Sequence, residues 1–368
     1  MITVRRGADT AVGRRSYDVE VDHDADRAVW WETIEGDPIP VDDRMDAGAL
    51  ALLPMAMNYR QDLHVAGPVS WTLLANLVDV VDAWCAWRPD LFGKVAITAD
   101  EVVDDRADGP GAAAGKTVFG FSGGVDSTFV AYAHANGLLG LQSCEPVEAI
   151  LVHGFDIPAG DLHGYELAAA GARDVTAEMG VPFTAVRTNW REVVDPAGWE
   201  VSFGQALGAT LHLFADRAAV ATIASDNTYA TLAGGWGSNP ITSPLMSSAR
   251  MRVRYTAAGW GRTAKCAHIA TLDSVRRNLR VCWQGDVPGA NCTRCEKCIR
   301  TKINLLGAGA GVIPALGPIR PGELESLNVP SKAALGLYLE LLESEDDLEP
   351  HVVAALKAAV AASPFDLA

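Results

Sequence analysis

Residues 117–128 read TVFGFSGGVDST, and their types and order are those of a phosphate site. Val118, Phe119 and Phe121 form an apolar run typical of a buried strand. It breaks into Ser122, Gly123, Gly124, Val125, Asp126 and Ser127, and a helical pattern follows from about Ser127 through Phe129, Val130, Tyr132 and Ala133. Adjacent glycines let the backbone turn tightly and present N–H groups to a ligand. The first turn of the helix adds unpaired N–H groups and partial positive charge. The plainer alternative is an ordinary glycine turn between strand and helix. The motif is neither the P-loop, since no Lys stands at the helix start, nor the G-x-G-x-x-G dinucleotide turn. Asp126 beside phosphates would be repelled without a cation, which implies Mg²⁺ held by few carboxylates plus the phosphates.

A second constellation lies at 282–301, CWQGDVPGANCTRCEKCIRT. Cys292, Cys295 and Cys298 stand at C-x2-C-x2-C, with Cys282 ten residues upstream. Four thiolates converging on one cation make a closed structural zinc site. An iron–sulfur cluster is the alternative, weakened because no fourth Cys follows at ferredoxin spacing; redox or sulfur-carrying thiols are a third. Arg294, Lys297 and Arg300 would offset the thiolate charge. Cys266 is a spare, the alternative to Cys282 as a ligand.

The elements that must position these groups read as α/β. From 116 to 305, strands at Ala149–Val152, Phe183–Arg187 and Ala219–Ala224 alternate with helices at Leu162–Met179 and Gln205–Arg217. Such alternation implies a parallel, doubly wound sheet, with ligands beyond the carboxyl ends of its strands. Those ends are His153–Asp156, Thr188–Arg191 and Ser225–Thr228. Residues 231–263 are glycine-rich and read as one long active-site loop. Arg262 and Lys265 follow it as candidates to stabilise pyrophosphate or developing charge, or else as solvated cations. Residues 1–105 read as an α+β unit of their own, with strands at Ile2–Arg5, Ser16–Val21 and Val95–Thr98 and helices near Ala47–Tyr59 and Ser70–Ala86; its tryptophans read as core. A linker is expected at 106–115, and 306–368 reads as a helical tail that serves packing.

The 368 residues carry a net charge of −16, against general nucleic-acid binding. Within 250–302, 12 Lys/Arg face 3 Asp/Glu, so that segment is locally basic in an acidic chain. It is either a solvated face or a surface turned to phosphates. No signal peptide and no membrane span is expected, so cytoplasm is the default.

SGGVDS resembles the signature of the PP-loop ATP pyrophosphatases (adenine nucleotide alpha hydrolase-like), a Rossmann-like superfamily of the HUP type. That resemblance implies an enzyme that adenylates a carboxylate or carbonyl oxygen and releases pyrophosphate. It assigns Ser122, Gly123, Gly124, Val125, Asp126 and Ser127 to the pyrophosphate end of ATP, and Val152, His153, Gly154 and Phe155 to the adenine. Paired with a late four-cysteine knuckle, the loop is similar to the 7-cyano-7-deazaguanine synthase branch. Those enzymes use ATP and ammonia to turn a carboxylate into an amide and then a nitrile, and hold a structural zinc. The similarity covers about 116–305. The first 105 residues, the tail and the 231–263 loop depart from it, and no deazapurine-recognition residues can be matched. The activation chemistry and the zinc carry over; the substrate does not. The expected protein is thus an AMP-forming ligase acting on a small-molecule or peptide carboxylate with ammonia or an amine, compatible with a homo-oligomer. Sulfur transfer to an adenylated substrate and a non-catalytic ATP or AMP sensor are the alternatives.

Overall fold

The computed structural model describes the chain except residues 9–13, 22–26, 36–42, 110, 233, 286–288 and 367–368. Pro110 of the expected linker, Ala233 of the expected loop and 286–288 of the knuckle segment therefore lie outside the described residues.

The amino-terminal part comprises β1 (Ile2–Arg6), β2 (Arg14–Val21), β3 (Arg27–Ile34), α1 (Asp46–Tyr59), β4 (Leu63–Ser70), α2 (Trp71–Trp87) and β5 (Ile97–Val103). Two of these strands differ from expectation. β4 contains Gly67-Pro68, normally a turn signal; its ladder with β5 absorbs them through a register shift between Val65 and Pro68. β3 is fixed by its neighbours, β2 on one side and a distant strand on the other.

The second part runs β6 (Lys116–Gly120), α3 (Val125–Ala135), β7 (Glu145–His153), α4 (Leu162–Glu178), β8 (Phe183–Thr188), α5 (Trp190–Val193), α6 (Trp199–His212), β9 (Val220–Ala224) and β10 (Arg252–Thr256). Five helices follow among the described residues: α7 (Arg262–Ile269), α8 (Asp273–Asn278), α9 (Glu296–Gly307), α10 (Lys332–Leu342) and α11 (Pro350–Ala361). The expected loop at 231–263 is corrected here, because it contains β10, which pairs parallel with β9. Its two arginines, Arg252 and Arg254, hid the strand from a hydropathy reading.

Among the described residues all ten strands form one sheet, in the order β10-β9-β6-β7-β8-β3-β2-β1-β4-β5. The boundary expected at 106–115 does not interrupt it. β3 joins β8 antiparallel through Glu32↔Thr188, Thr33↔Arg187 and Ile34↔Val186. Side chains lock the seam: Trp30 Nε1 donates to Thr188 Oγ1 at 3.1 Å, and Thr188 Oγ1 donates to the Trp31 carbonyl at 2.8 Å.

β6 to β10 run parallel, and β6 lies at their middle. The chain adds β7 and β8 on one side of β6, then returns to add β9 and β10 on the other. Chain connections diverge at the carboxyl ends of β6 and β9, where open parallel sheets bind ligands. Alternate residues bury into opposite layers. Val118, Ile150, Val152 and Val186 pack with α1 and α6, while Phe119, Ala149, Leu151 and Ala185 pack with α3, α4 and α7. The helical tail forms a third cluster around Tyr338, Leu341 and Leu356.

The far ends of the sheet are also linked. Asp105, just after β5, is fully buried and accepts from Thr72 N at 2.9 Å, Thr72 Oγ1 at 2.7 Å and Ala249 N at 3.1 Å. Ala249 stands just before β10, so first and last parts of the sheet are bridged by one carboxylate.

Candidate nucleotide site and metal centre

The glycine turn sits at the carboxyl end of β6. Gly123 has φ +75°, a left-handed conformation with open space where a Cβ would stand. Gly124 is the N-cap of α3, and no side chain caps that helix from this position. Its first-turn N–H groups thus remain for a ligand. Ser122 Oγ accepts from Gly124 N at 3.3 Å and lies 3.2 Å from Ser127 Oγ, so both hydroxyls converge on the turn.

A cavity of about 360 Å³ opens beside this turn. Ser122, Asp126 and Ser127 form its polar end. Val152, Phe155, Ile223 and Ala224 supply the strand ends, and Trp199, Phe203 and Trp236 the aromatic wall. The rings form a series: Phe155 to Trp199 at 4.9 Å, Trp199 to Phe203 at 5.9 Å and Phe203 to Trp236 at 5.9 Å. One polar end and one aromatic side suit a ligand with a charged group and a flat ring.

Of the four residues expected against an adenine, Val152 and Phe155 line the cavity; His153 and Gly154 do not. His153 is buried, stacks on Tyr165 at 4.3 Å and has Nε2 2.9 Å from the Pro158 carbonyl. Burial pushes its pKa down. Gly154 has φ +107°, and a Cβ there would meet the Thr188 carbonyl oxygen at 1.9 Å, so glycine is required for packing.

Arg262 and Lys265 are brought to Asp126 by α7. Arg262 Nη2 donates to Asp126 Oδ2, and Lys265 Nζ donates to Asp126 Oδ1 at 2.9 Å. Lys265 is 2 % exposed and also donates to the Ser225 carbonyl at 2.6 Å. Burial alone would raise the Asp126 pKa; Arg262 and then Lys265 outweigh it and hold the carboxyl below its usual range. Asp226, at the end of β9, goes the other way: burial first, then repulsion from Asp126, push it up. Trp236 Nε1, Ser238 Oγ and Tyr255 Oη all donate to it. Two carboxylates with opposed shifts are a common signature of functional sites.

The tail does more than pack. Buried Glu340 of α10 accepts from Arg262 N at 3.2 Å, Thr228 N at 3.2 Å and Thr231 Oγ1 at 2.8 Å. It ties the start of α7 to the segment after β9, and so positions both cations that hold Asp126.

The four cysteines of the knuckle converge. The sulfurs of Cys282, Cys292, Cys295 and Cys298 all lie within 4.8 Å of one another. Cys292 and Cys298 Sγ are 3.9 Å apart, Cys298 and Cys282 Sγ 3.4 Å. A tetrahedron with metal–sulfur bonds of about 2.3 Å has edges of about 3.8 Å, so the set could hold a metal such as zinc. Backbone N–H groups of Cys292 and Cys295 donate to the sulfurs of Cys282 and Cys292 at 3.1 and 3.2 Å, supporting thiolates. Cys266 is not part of this group; it stands on the buried face of α7, where burial pushes its thiol up to about 12.

Three residues of the site were not assigned to it from the sequence, where Lys297 was read only as offsetting the thiolate charge. Trp283 and Lys297 from the knuckle line the cavity. Arg280 donates through its backbone N–H to the Gly123 carbonyl at 3.0 Å and through Nη2 to the Ser122 carbonyl at 2.9 Å. The local excess of basic residues was the signal available, but it named no single side chain. No helix among the described residues is long and apolar enough to cross a membrane. No family model, curated protein or solved structure matches this chain.

Proposed function

We propose that this protein is an ATP-dependent, AMP-forming ligase with a doubly wound, Rossmann-like nucleotide-binding half. The observation that carries the reading is the uncapped glycine turn at the point where β6 and β9 diverge, with an aromatic-walled cavity beside it. The polyphosphate lies on Gly123, Gly124 and the first N–H groups of α3. The adenine lies on the aromatic side, against Phe155 and its neighbours. Asp126, with Asp226 near enough to feel its charge, would hold Mg²⁺. An acceptor carboxylate attacks the α-phosphorus, pyrophosphate departs with the bonding pair, and ammonia or an amine displaces AMP from the acyl adenylate. Catalysis rests on positioning and charge stabilisation.

Sulfur transfer is the less supported reading. None of the described residues lining the cavity is a cysteine, four thiols are turned onto one another, and Cys266 has a thiol held far from its reactive form. The test is to incubate the protein with labelled ATP, Mg²⁺, ammonia and a panel of carboxylates, following AMP and pyrophosphate. ATP binding without pyrophosphate release or ATP–pyrophosphate exchange for any acceptor would leave a nucleotide sensor and sink the ligase. Iron and labile sulfide, instead of one zinc per chain, would favour sulfur transfer.

A further inference from the structure

Arg262 and Lys265, the two cations that the sequence offers to a departing pyrophosphate, are already engaged by Asp126. Arg300 is engaged by Glu296 on its own helix. Arg280 is in a different position. It is 7 % exposed, yet among the described residues no carboxylate accepts a hydrogen bond from it. Nη2 spends its bond on the Ser122 carbonyl, and Nη1 is buried with no hydrogen-bond partner. Its guanidinium carbon lies 3.2 Å over the Trp283 ring, which also walls the nucleotide cavity. A second cavity, of about 290 Å³, lies on Arg280, Ser122 and Gly123. Asp156 and Cys282 act on it electrostatically but accept no hydrogen bond from it, and burial outweighs them; a buried cation with no closer pairing is costly, and an anion delivered to it offsets that cost.

We propose that Arg280 is the residue that receives the negative charge of the polyphosphate on the glycine turn, while Arg262 and Lys265 serve to hold Asp126. This rests on the ligase reading and assigns a role within that site. The chemistry is simple: when the α-phosphorus–oxygen bond breaks, the pair goes to the pyrophosphate oxygen, and Arg280 donates N–H bonds to that anion without giving up a proton. The planar fork suits phosphate oxygens better than an ammonium would. Trp283 stacks on the guanidinium and limits its motion, so the metal knuckle that fixes Cys282 also fixes this cation.

The test compares wild type, Arg280→Gln and Arg280→Lys, using magnesium pyrophosphate and AMP as calorimetric probes and urea unfolding without ligand. Arg280→Gln is expected to weaken pyrophosphate binding about tenfold or more, with AMP binding changed less than about twofold. Arg280→Lys falls between. Without ligand, Arg280→Gln should be at least as resistant to urea as wild type, because it removes a buried charge that forms no ion pair among the described residues. A residue serving only as a structural clamp gives the opposite sign. Equal pyrophosphate affinity in wild type and Arg280→Gln overturns the assignment while leaving the ligase intact. Loss of urea resistance also overturns it, as does loss of zinc from Arg280→Gln, which would make the thiolate centre the true partner of Arg280. A wild-type protein that binds neither ATP nor pyrophosphate removes both the assignment and the ligase.

Discussion

Glu32 makes the seam between the two halves of the sheet sensitive to pH. It lies on β3, 1 % exposed, and its Oε1 accepts from Thr210 Oγ1 of α6 at 2.9 Å, while Oε2 is buried without a partner. Burial dominates, Thr210, Arg15 and Arg6 only partly oppose it, and the pKa rises from 4.5 to about 7. The folded state therefore binds this proton more tightly than the unfolded chain. Stability from this group is fully present below the unfolded value, falls as pH rises between the two values, and levels above about 7. At 1.36 kcal/mol per pKa unit, the loss between pH 5 and pH 8 is about 2 to 3 kcal/mol. Glu32→Gln keeps the acceptor for Thr210 and removes the titration. Urea unfolding followed by tryptophan fluorescence, at pH 5, 6, 7 and 8, should show the variant gaining on wild type by that amount across the range. A stability difference that does not change with pH would refute the placement of Glu32 as a buried, proton-holding carboxyl.

Four further outcomes are expected. Asp126→Asn should abolish pyrophosphate release and also lower stability, by about 3 kcal/mol, since Arg262 and Lys265 would be left beside a neutral amide; retained turnover contradicts the site. Cys295→Ser should purify with far less than one zinc per chain and unfold at lower urea, because a structural metal contributes folding free energy; metal analysis with unfolding curves checks this. Glu340→Ala removes the acceptor of three hydrogen bonds and should cost about 3 kcal/mol with a fall in turnover, read by urea titration and steady-state kinetics. Gly154→Ala cannot seat its methyl against the Thr188 carbonyl and should lose about 2 kcal/mol or more, or fail to fold, as judged by circular dichroism.

What could be read from the sequence was local. The glycine turn declares itself because strand, turn and helix start are contiguous, and the four cysteines declare themselves by spacing. The parallel strands β6, β7, β8 and β9 were visible because each carries a short, largely apolar run buried on both faces. β10 and β4 were hidden by surface arginines and by Gly67-Pro68, and β3 is settled by a partner about 155 residues away in the chain. The same limit applies to the site. Glu340 reaches Arg262 from a helix 78 residues distant, and Arg280 meets Ser122 across 158. Neither pairing has a periodicity or motif, because nothing in either segment changes when the other is absent. His153 and Gly154 were drawn toward the ligand by their place after β7, whereas the pleat turns His153 away and Gly154 is committed to Thr188.

The Asp105 bridge has a consequence for how the chain survives being cut. A protease that nicks it at 106–109, where the backbone is exposed, severs the two halves of the polypeptide but not the β3–β8 ladder, the α1–α6 layer or the Asp105 contact with Ala249. The fragments should stay together through gel filtration and separate only in denaturant. Expressed apart, each would display the apolar face that the other covers, and should aggregate; expressed together, they should reassemble into a soluble pair. Asp105→Asn should lower the denaturant concentration at which the nicked fragments part, without separating them in buffer, because the β3–β8 ladder and the α1–α6 layer remain.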